Sequence, residues 1–203
     1  MITLYGIATS RAFRCLWMLE ELGLEYEHKA LDFRGDDLRS EEYRAINPNA
    51  RVPTLQDGEL TLWESMAINL YLAQRYGGEQ GLWPNSTETQ ALAYQWSFWV
   101  MTEVESHLLA VLMHRRMLPE PERDPGKLAR SEGALRPAFD VLDGVLAKRP
   151  FLADAHFTVA DLDVAAVLSW TRPARFDLGP WPALAEWLAG CLARPAFDRA
   201  RRR

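Results

Sequence analysis

The stretch from Arg51 to Ser65, R-V-P-T-L-Q-D-G-E-L-T-L-W-E-S, restricts the fold more than any other part of this chain. Two short apolar runs, Thr54 to Gln56 and Leu60 to Trp63, flank Asp57-Gly58, a dipeptide that tolerates the positive φ of a tight turn, so an antiparallel hairpin is expected. Upstream, residues 2–7 read as a strand. An apolar-periodic run containing Phe13, Leu16, Trp17, Leu19 and Leu22 reads as a helix that Gly23 stops, and Tyr26 to Asp32 reads as a second strand. A short helix from Leu38 to Ile46 precedes the hairpin, and a helix from Ser65 to Tyr76 follows it. A strand, a helix and a strand in that order imply a parallel pair, and the hairpin adds antiparallel strands. The first part is therefore expected to be a mixed sheet in the order βαβαββα, covered by helices.

Beyond it the pattern changes. Gly77 to Pro84 is the one stretch of clustered glycine and proline between long periodic segments, and no convincing strand follows it. Residues 85–117, 127–147, 159–170 and 184–193 all read as helices. The expected organisation is an α/β domain over 1–77, a linker over 78–86 and an all-α domain over 87–203. Within the last, Thr158-Val-Ala-Asp161 has the form of a capping box, with Phe157 and Leu162 placed for a hydrophobic staple.

With 203 residues, 48% of them hydrophobic, the chain can bury a sizeable core. A net charge of -5 argues against a nucleic-acid partner, and Arg201-Arg202-Arg203 reads as a solvated tail. No signal-like or membrane-spanning segment stands out, so a cytoplasmic protein with no membrane partner is expected. Cys15 and Cys191 form no metal or redox motif, and no metal is expected.

The hairpin's ends point to a ligand. Pro53 cannot donate to a ladder, which leaves Val52 to face something other than a strand. Ser65 opens a helix, where unpaired amides attract carboxylates; taken alone it reads first as a plain cap. Arg-Val-Pro-Thr-Leu followed by Glu64-Ser65 resembles the glutathione-binding core of the cytosolic glutathione transferases, and the resemblance extends over nearly the whole chain. It implies a thioredoxin-like first domain, a cis Val52-Pro53 bond, Val52 pairing with glutathione as an added strand, and Glu64 and Ser65 holding the γ-glutamyl end. It further implies glutathione as co-substrate, small electrophiles as second substrates, a role in detoxification, and a homodimer.

In a thioredoxin-like fold the segment between the first strand and the first helix holds the reactive group, because a helix N-terminus favours negative charge. Here it is Thr9-Ser10-Arg11, with no cysteine, so two-cysteine exchange is excluded. A hydroxyl that donates to the sulfur would stabilise the thiolate. Serine-type transferases carry their catalytic serine four residues before an arginine placed like Arg14, which selects Ser10; Thr9 is the competitor, and Ser10 also reads as a helix cap. Arg51 stands where relatives carry a base near the glycyl carboxylate, or is simply solvated. The resemblance implies that Ile7 and Ala8 line the side of the pocket facing the second substrate. Glu105 and Ser106 fall near where cysteine-type bacterial transferases carry polar pocket residues, although Glu105 replaces their histidine. Two other readings stay open: a non-catalytic binding protein similar to the stringent starvation proteins, and a glutathione-dependent peroxide or disulfide reductase.

Overall fold

Every residue of β1 (Ile2–Tyr5) is buried, as a strand in the middle of a covered sheet must be. It pairs in parallel with β2 (Tyr26–Lys29) and antiparallel with β3 (Thr54–Asp57), which pairs antiparallel with β4 (Leu60–Trp63). The strand order is β2-β1-β3-β4. The computed structural model describes residues 1–203 and divides them into two units, residues 1–83 with 193–203 and residues 84–192.

Two strands are shorter than expected. The first ends at Tyr5 because Gly6 turns away at φ 127, and a Cβ there would lie 2.6 Å from that of Ala12 and 3.0 Å from that of Val52. Only glycine fits so close an approach at that φ. The second stops at Lys29 rather than Asp32. In the hairpin Asp57 pairs with Leu60, leaving Gly58-Glu59 as the loop, and Gly58 supplies the positive φ of 60. Tyr71 and Tyr76 both donate to Asp57 Oδ2, fastening the hairpin to the helix that follows it.

Helix α1 (Ala12–Leu22) ends on Gly23 at φ 63, whose amide donates to Leu19 O. The expected helix over 38–46 is a 3-10 turn, Asp36–Arg39, followed by α2 (Glu41–Ile46), because Ser40 breaks the run and caps α2 by accepting from the Tyr43 amide. Helix α3 is Ser65–Tyr76.

In the second unit, α4 (Thr87–Trp99), π turns over Val100–Glu105, α5 (Ser106–Leu112) and π turns over Met113–Met117 follow one another where a single helix was expected. Then come α6 (Pro125–Leu146), α7 (Val159–Leu168), α8 (Thr171–Ala174) and α9 (Pro182–Leu192). No helix is long and apolar enough to cross a membrane. Cys15 and Cys191 are buried thiols.

The C-terminal segment departs from the expectation for residues 87–203. Helix α10 (Pro195–Arg201) packs on α1 in the first unit, with Phe197 edge-on to Phe13 at 5.3 Å and to Trp17 at 5.0 Å. Ion pairs fix it there. Arg194 donates twice to Glu21, at 2.6 and 2.8 Å, and Arg199 and Arg203 both donate to Glu20. Arg203 is thus an ion-pair partner and no solvated tail. Burial pushes the Glu20 carboxyl up, but the hydrogen bonds from Arg203, Arg199 and Tyr26 outweigh it and hold the group below its ordinary value.

All ten residues of α7 are buried, which suits a helix that is apolar on every side. Its two carboxylates are therefore satisfied internally. Asp163 accepts from Ser97 Oγ at 2.7 Å. Asp161 forms the capping box with Thr158 and also accepts from the Leu152 amide and the Trp187 indole. Burial pushes its carboxyl up to about 6 even so. The folded chain therefore keeps this proton where an unfolded aspartate, near a pKa of about 3.9, has lost it. This contribution to stability is fully present below pH ~4 and is lost as pH rises through ~6. In denaturant titrations, the stability of the wild type minus that of Asp161→Asn should fall by up to about 3 kcal/mol across that window; a difference that stays flat or grows with pH contradicts the assignment.

Candidate active site

Three segments meet at one end of the sheet. Thr54 pairs with both Tyr5 and Trp63, so the register carries Gly6 past the end of β1, Val52 before β3 and Ser65 after β4 to the same edge. Val52 lies outside the ladder, and the Val52-Pro53 bond is cis. A polar knot fixes the chain just before it. The Tyr43 hydroxyl donates to Arg51 O at 2.7 Å and lies 2.8 Å from Thr54 Oγ1, while Asn47 Nδ2 reaches the same two acceptors at 2.9 and 3.0 Å. Burial pushes the Tyr43 hydroxyl up, so it stays a neutral donor. Arg51 thus contributes a clamped carbonyl to the fold, and its side chain is exposed.

Ser65, the first residue of α3, is buried to 3% exposure. Its hydroxyl accepts from Arg14 Nη1 at 3.2 Å, and Arg14 is itself only 1% exposed. That bond uses a lone pair of Ser65 Oγ and not its proton, so the hydroxyl can still donate. Asn69 Nδ2 donates to Arg14 O, and Cys15 Sγ lies 3.7 Å from Ser65 O, so α1 and α3 are joined through polar groups on their facing sides. Glu64, exposed, precedes Ser65 at φ 74 and ψ 114, a conformation that strains any residue with a Cβ.

The β1-α1 turn holds Ile7 and Ala8, half-buried, Thr9, exposed, and Ser10, half-buried. Ser10 Oγ donates to Ile7 O at 2.7 Å and accepts from the Ala12 amide at 3.1 Å. Its proton is therefore turned inward, and donation to an outside group needs a rotation about the side chain. His28 is held by Gly6 O at 2.7 Å.

The remaining candidates lie in the second unit. Glu105 closes the π-turn segment and is buried, whereas Ser106, its neighbour, is exposed and lines an open cleft of about 840 Å³ between α5 and α6. The two do not share a surface. Tyr43, Asn47 and Arg14 are the residues that sequence reasoning did not assign a role; Arg14 left a signal, a cation between Phe13 and Cys15 in an otherwise apolar helical stretch.

Residues 1–74 match the family model for the N-terminal domain of glutathione S-transferases, and residues 125–190 match that for their C-terminal domain. The Escherichia coli K12 glutathione S-transferase GstB is 33% identical over 202 residues, covering 98% of this chain and 97% of the relative. The chain belongs to the glutathione S-transferase family. Among solved structures of that family, the theta-class glutathione S-transferase of Xanthomonas axonopodis pv. citri, with glutathione bound, superposes with a TM-score of 0.87 at 32% identity, covering 98% of this chain and 96% of that one. The transferase URE2P6 of Phanerochaete chrysosporium, in complex with oxidized glutathione, gives 0.88 at 28% identity, covering 98% and 94%.

The strain at Glu64 gives a direct test. Glu64→Gly relieves a positive φ and should raise stability by about 1 kcal/mol, read from the midpoint of chemical denaturation; a destabilised variant would mean the backbone there is relaxed.

Proposed function

We propose that this chain conjugates glutathione to small electrophiles, and that the first unit alone supplies the glutathione site. The observation that carries the reading is the Arg14-Ser65 pair at the edge where Val52 leaves the ladder. An extended tripeptide laid along Val52 pairs with its backbone groups, as an added strand does. Its γ-glutamyl carboxylate then meets the Ser65 hydroxyl, whose proton is not used in the bond from Arg14, and the start of α3 adds positive potential. In this reading Glu64 takes the γ-glutamyl ammonium and Arg51 the glycyl carboxylate at the other end.

Chemistry needs the bound thiol as its anion, which at a pKa of roughly 8.5 is scarce at neutral pH. Ser10, rotated from Ile7 O, donates to the sulfur, and the first amides of α1 add to the stabilisation. The thiolate attacks the electrophilic carbon, the carbon–sulfur bond forms, and the leaving group departs with its electron pair. Ile7 and Ala8 border the reacting sulfur. The working form is a homodimer in the cytoplasm, which light scattering at micromolar concentration tests; a monomer there refutes it.

Ser10→Ala should raise the pKa of bound glutathione, read from thiolate absorbance, and lower turnover of a reactive aryl halide by about tenfold to a hundredfold, the worth of one hydrogen bond to a charged group. Affinity should fall much less. If Thr9→Ala does this instead, the two hydroxyls exchange roles; if neither does, the helix amides carry the anion alone and the serine assignment fails.

A further inference from the structure

The peptides on both sides of Gly6 are held by β2. The Gly6 amide donates to Lys29 O at 2.9 Å, and the Gly6 carbonyl meets His28 Nε2 at 2.7 Å. A carbonyl oxygen only accepts, so Nε2 carries the proton in this bond. The strand register explains how the ring reaches it. His28 pairs with Leu4 in the parallel ladder, and the strand's period of two puts it on the same face as Tyr26, whose hydroxyl donates to Glu20 of α1 at 3.0 Å. From that face the half-buried imidazole extends past the end of β1 to the turn that feeds α1.

What this bond fixes is passed along the turn. Gly6 O and the Ile7 amide belong to one planar unit, so a bond at Gly6 O sets the plane from which Ile7 continues. Two bonds converge on the next carbonyl: Ile7 O accepts from the Ser10 amide at 3.0 Å and from Ser10 Oγ at 2.7 Å. Ser10 then opens α1, accepting from the Ala12 amide at its hydroxyl and from the Phe13 amide at its carbonyl, each at 3.1 Å. Gly6 supplies no stiffness of its own, because the φ of 127 that requires a glycine also places the least restricted backbone of any residue at the head of the turn. His28 attaches where the turn most needs an anchor from outside.

We infer that His28 is a positioning residue for the transferase reaction: it holds the Gly6-Ile7 peptide so that Ile7 O keeps the Ser10 hydroxyl one side-chain rotation away from the glutathione sulfur. This rests on the reading of Ser10 as the donor to the thiolate. His28 exchanges no proton with the substrate in this role; its donor is spent on Gly6 O.

The test compares the wild type with His28→Leu, His28→Gln, Ser10→Ala, and Ser10→Ala combined with His28→Leu. Leucine keeps an apolar body on the strand without a donor, whereas glutamine brings an amide N–H to about the reach of Nε2. In His28→Leu the thiol of bound glutathione, followed by thiolate absorbance, should titrate at higher pH, and turnover of chlorodinitrobenzene should fall about two- to tenfold, the worth of one neutral hydrogen bond. KM for glutathione should change less, because the Arg14-Ser65 bond lies elsewhere. Glutamine should restore most of both losses, and beside Ser10→Ala the leucine substitution should cost little more. Nitrogen NMR of the wild-type imidazole should show a proton on Nε2, a readout that does not depend on any variant folding. An unprotonated Nε2 overturns the proposal. So does a His28→Leu protein that loses stability yet keeps its thiol pKa and turnover, a loss that glutamine fails to restore, or one that persists in full beside Ser10→Ala. Ser10→Ala without effect on the thiol fails the serine reading and this proposal with it, whereas an effect in Ser10→Ala and none in His28→Leu fails this proposal alone.

Discussion

A single buried hydrogen bond, from the Arg14 guanidinium to the Ser65 hydroxyl, is what the first unit's ligand edge depends on. Taking a guanidinium out of water costs several kcal/mol unless its donors are met. A buried Arg14 therefore has to be held by fixed acceptors, and those acceptors fix the separation and rotation of α1 relative to α3. Both hydroxyls proposed to touch glutathione, Ser10 and Ser65, sit at the starts of these helices. Their spacing is inherited from that bond. Arginine suits the place better than lysine, because a planar fork of donors orders its partners where a compact ammonium would not.

Rigidity at this edge is reinforced from both sides. Gly6 lets β1 and α1 come so close to Val52 that a methyl group would collide with both, and the Tyr43-Asn47 knot holds the carbonyl before Val52. On the far side of α1, the Glu20 and Glu21 pairs with Arg194, Arg199 and Arg203 hold α10 against it. Against this well-braced frame the strained backbone at Glu64 persists, as strain does where surrounding structure over-determines a residue and function is the usual reason. The second unit follows a different logic. Its centre is α7, and its polar groups there, Asp161 and Asp163, are spent on capping and on cross-helix bonds rather than displayed.

The parts of this fold legible in sequence are those with local causes. Asp57-Gly58 between apolar runs gives the hairpin, Gly23 ends α1, Thr158 and Asp161 announce the start of α7, and Pro53 before Thr54 marks the strand entry. Long-range pairings are what the sequence conceals. Nothing near residue 194 signals that the last helix returns to α1, because the carboxylates that capture it stand at Glu20 and Glu21. The inward turn of the Ser10 hydroxyl depends on the carbonyl of Ile7, a backbone group with no signature. Glu105 and Ser106 seemed a pair by adjacency, yet the π turns before Ser106 separate one as interior and the other as cleft lining. Arg14 was visible only as a landmark for counting, since its meaning lies fifty-one positions away.

The central claim is that Arg14 acts through Ser65 on the γ-glutamyl carboxylate, and a double-mutant cycle on glutathione affinity tests it most directly. Calorimetric titrations of the wild type, Arg14→Met, Ser65→Ala and the double variant should show strong coupling, with the second substitution adding little once the first is made, and a coupling energy of about 1 to 3 kcal/mol. Cysteinylglycine, which lacks the γ-glutamyl group, should show almost none. Additive losses for glutathione, or equal coupling with cysteinylglycine, would contradict the account.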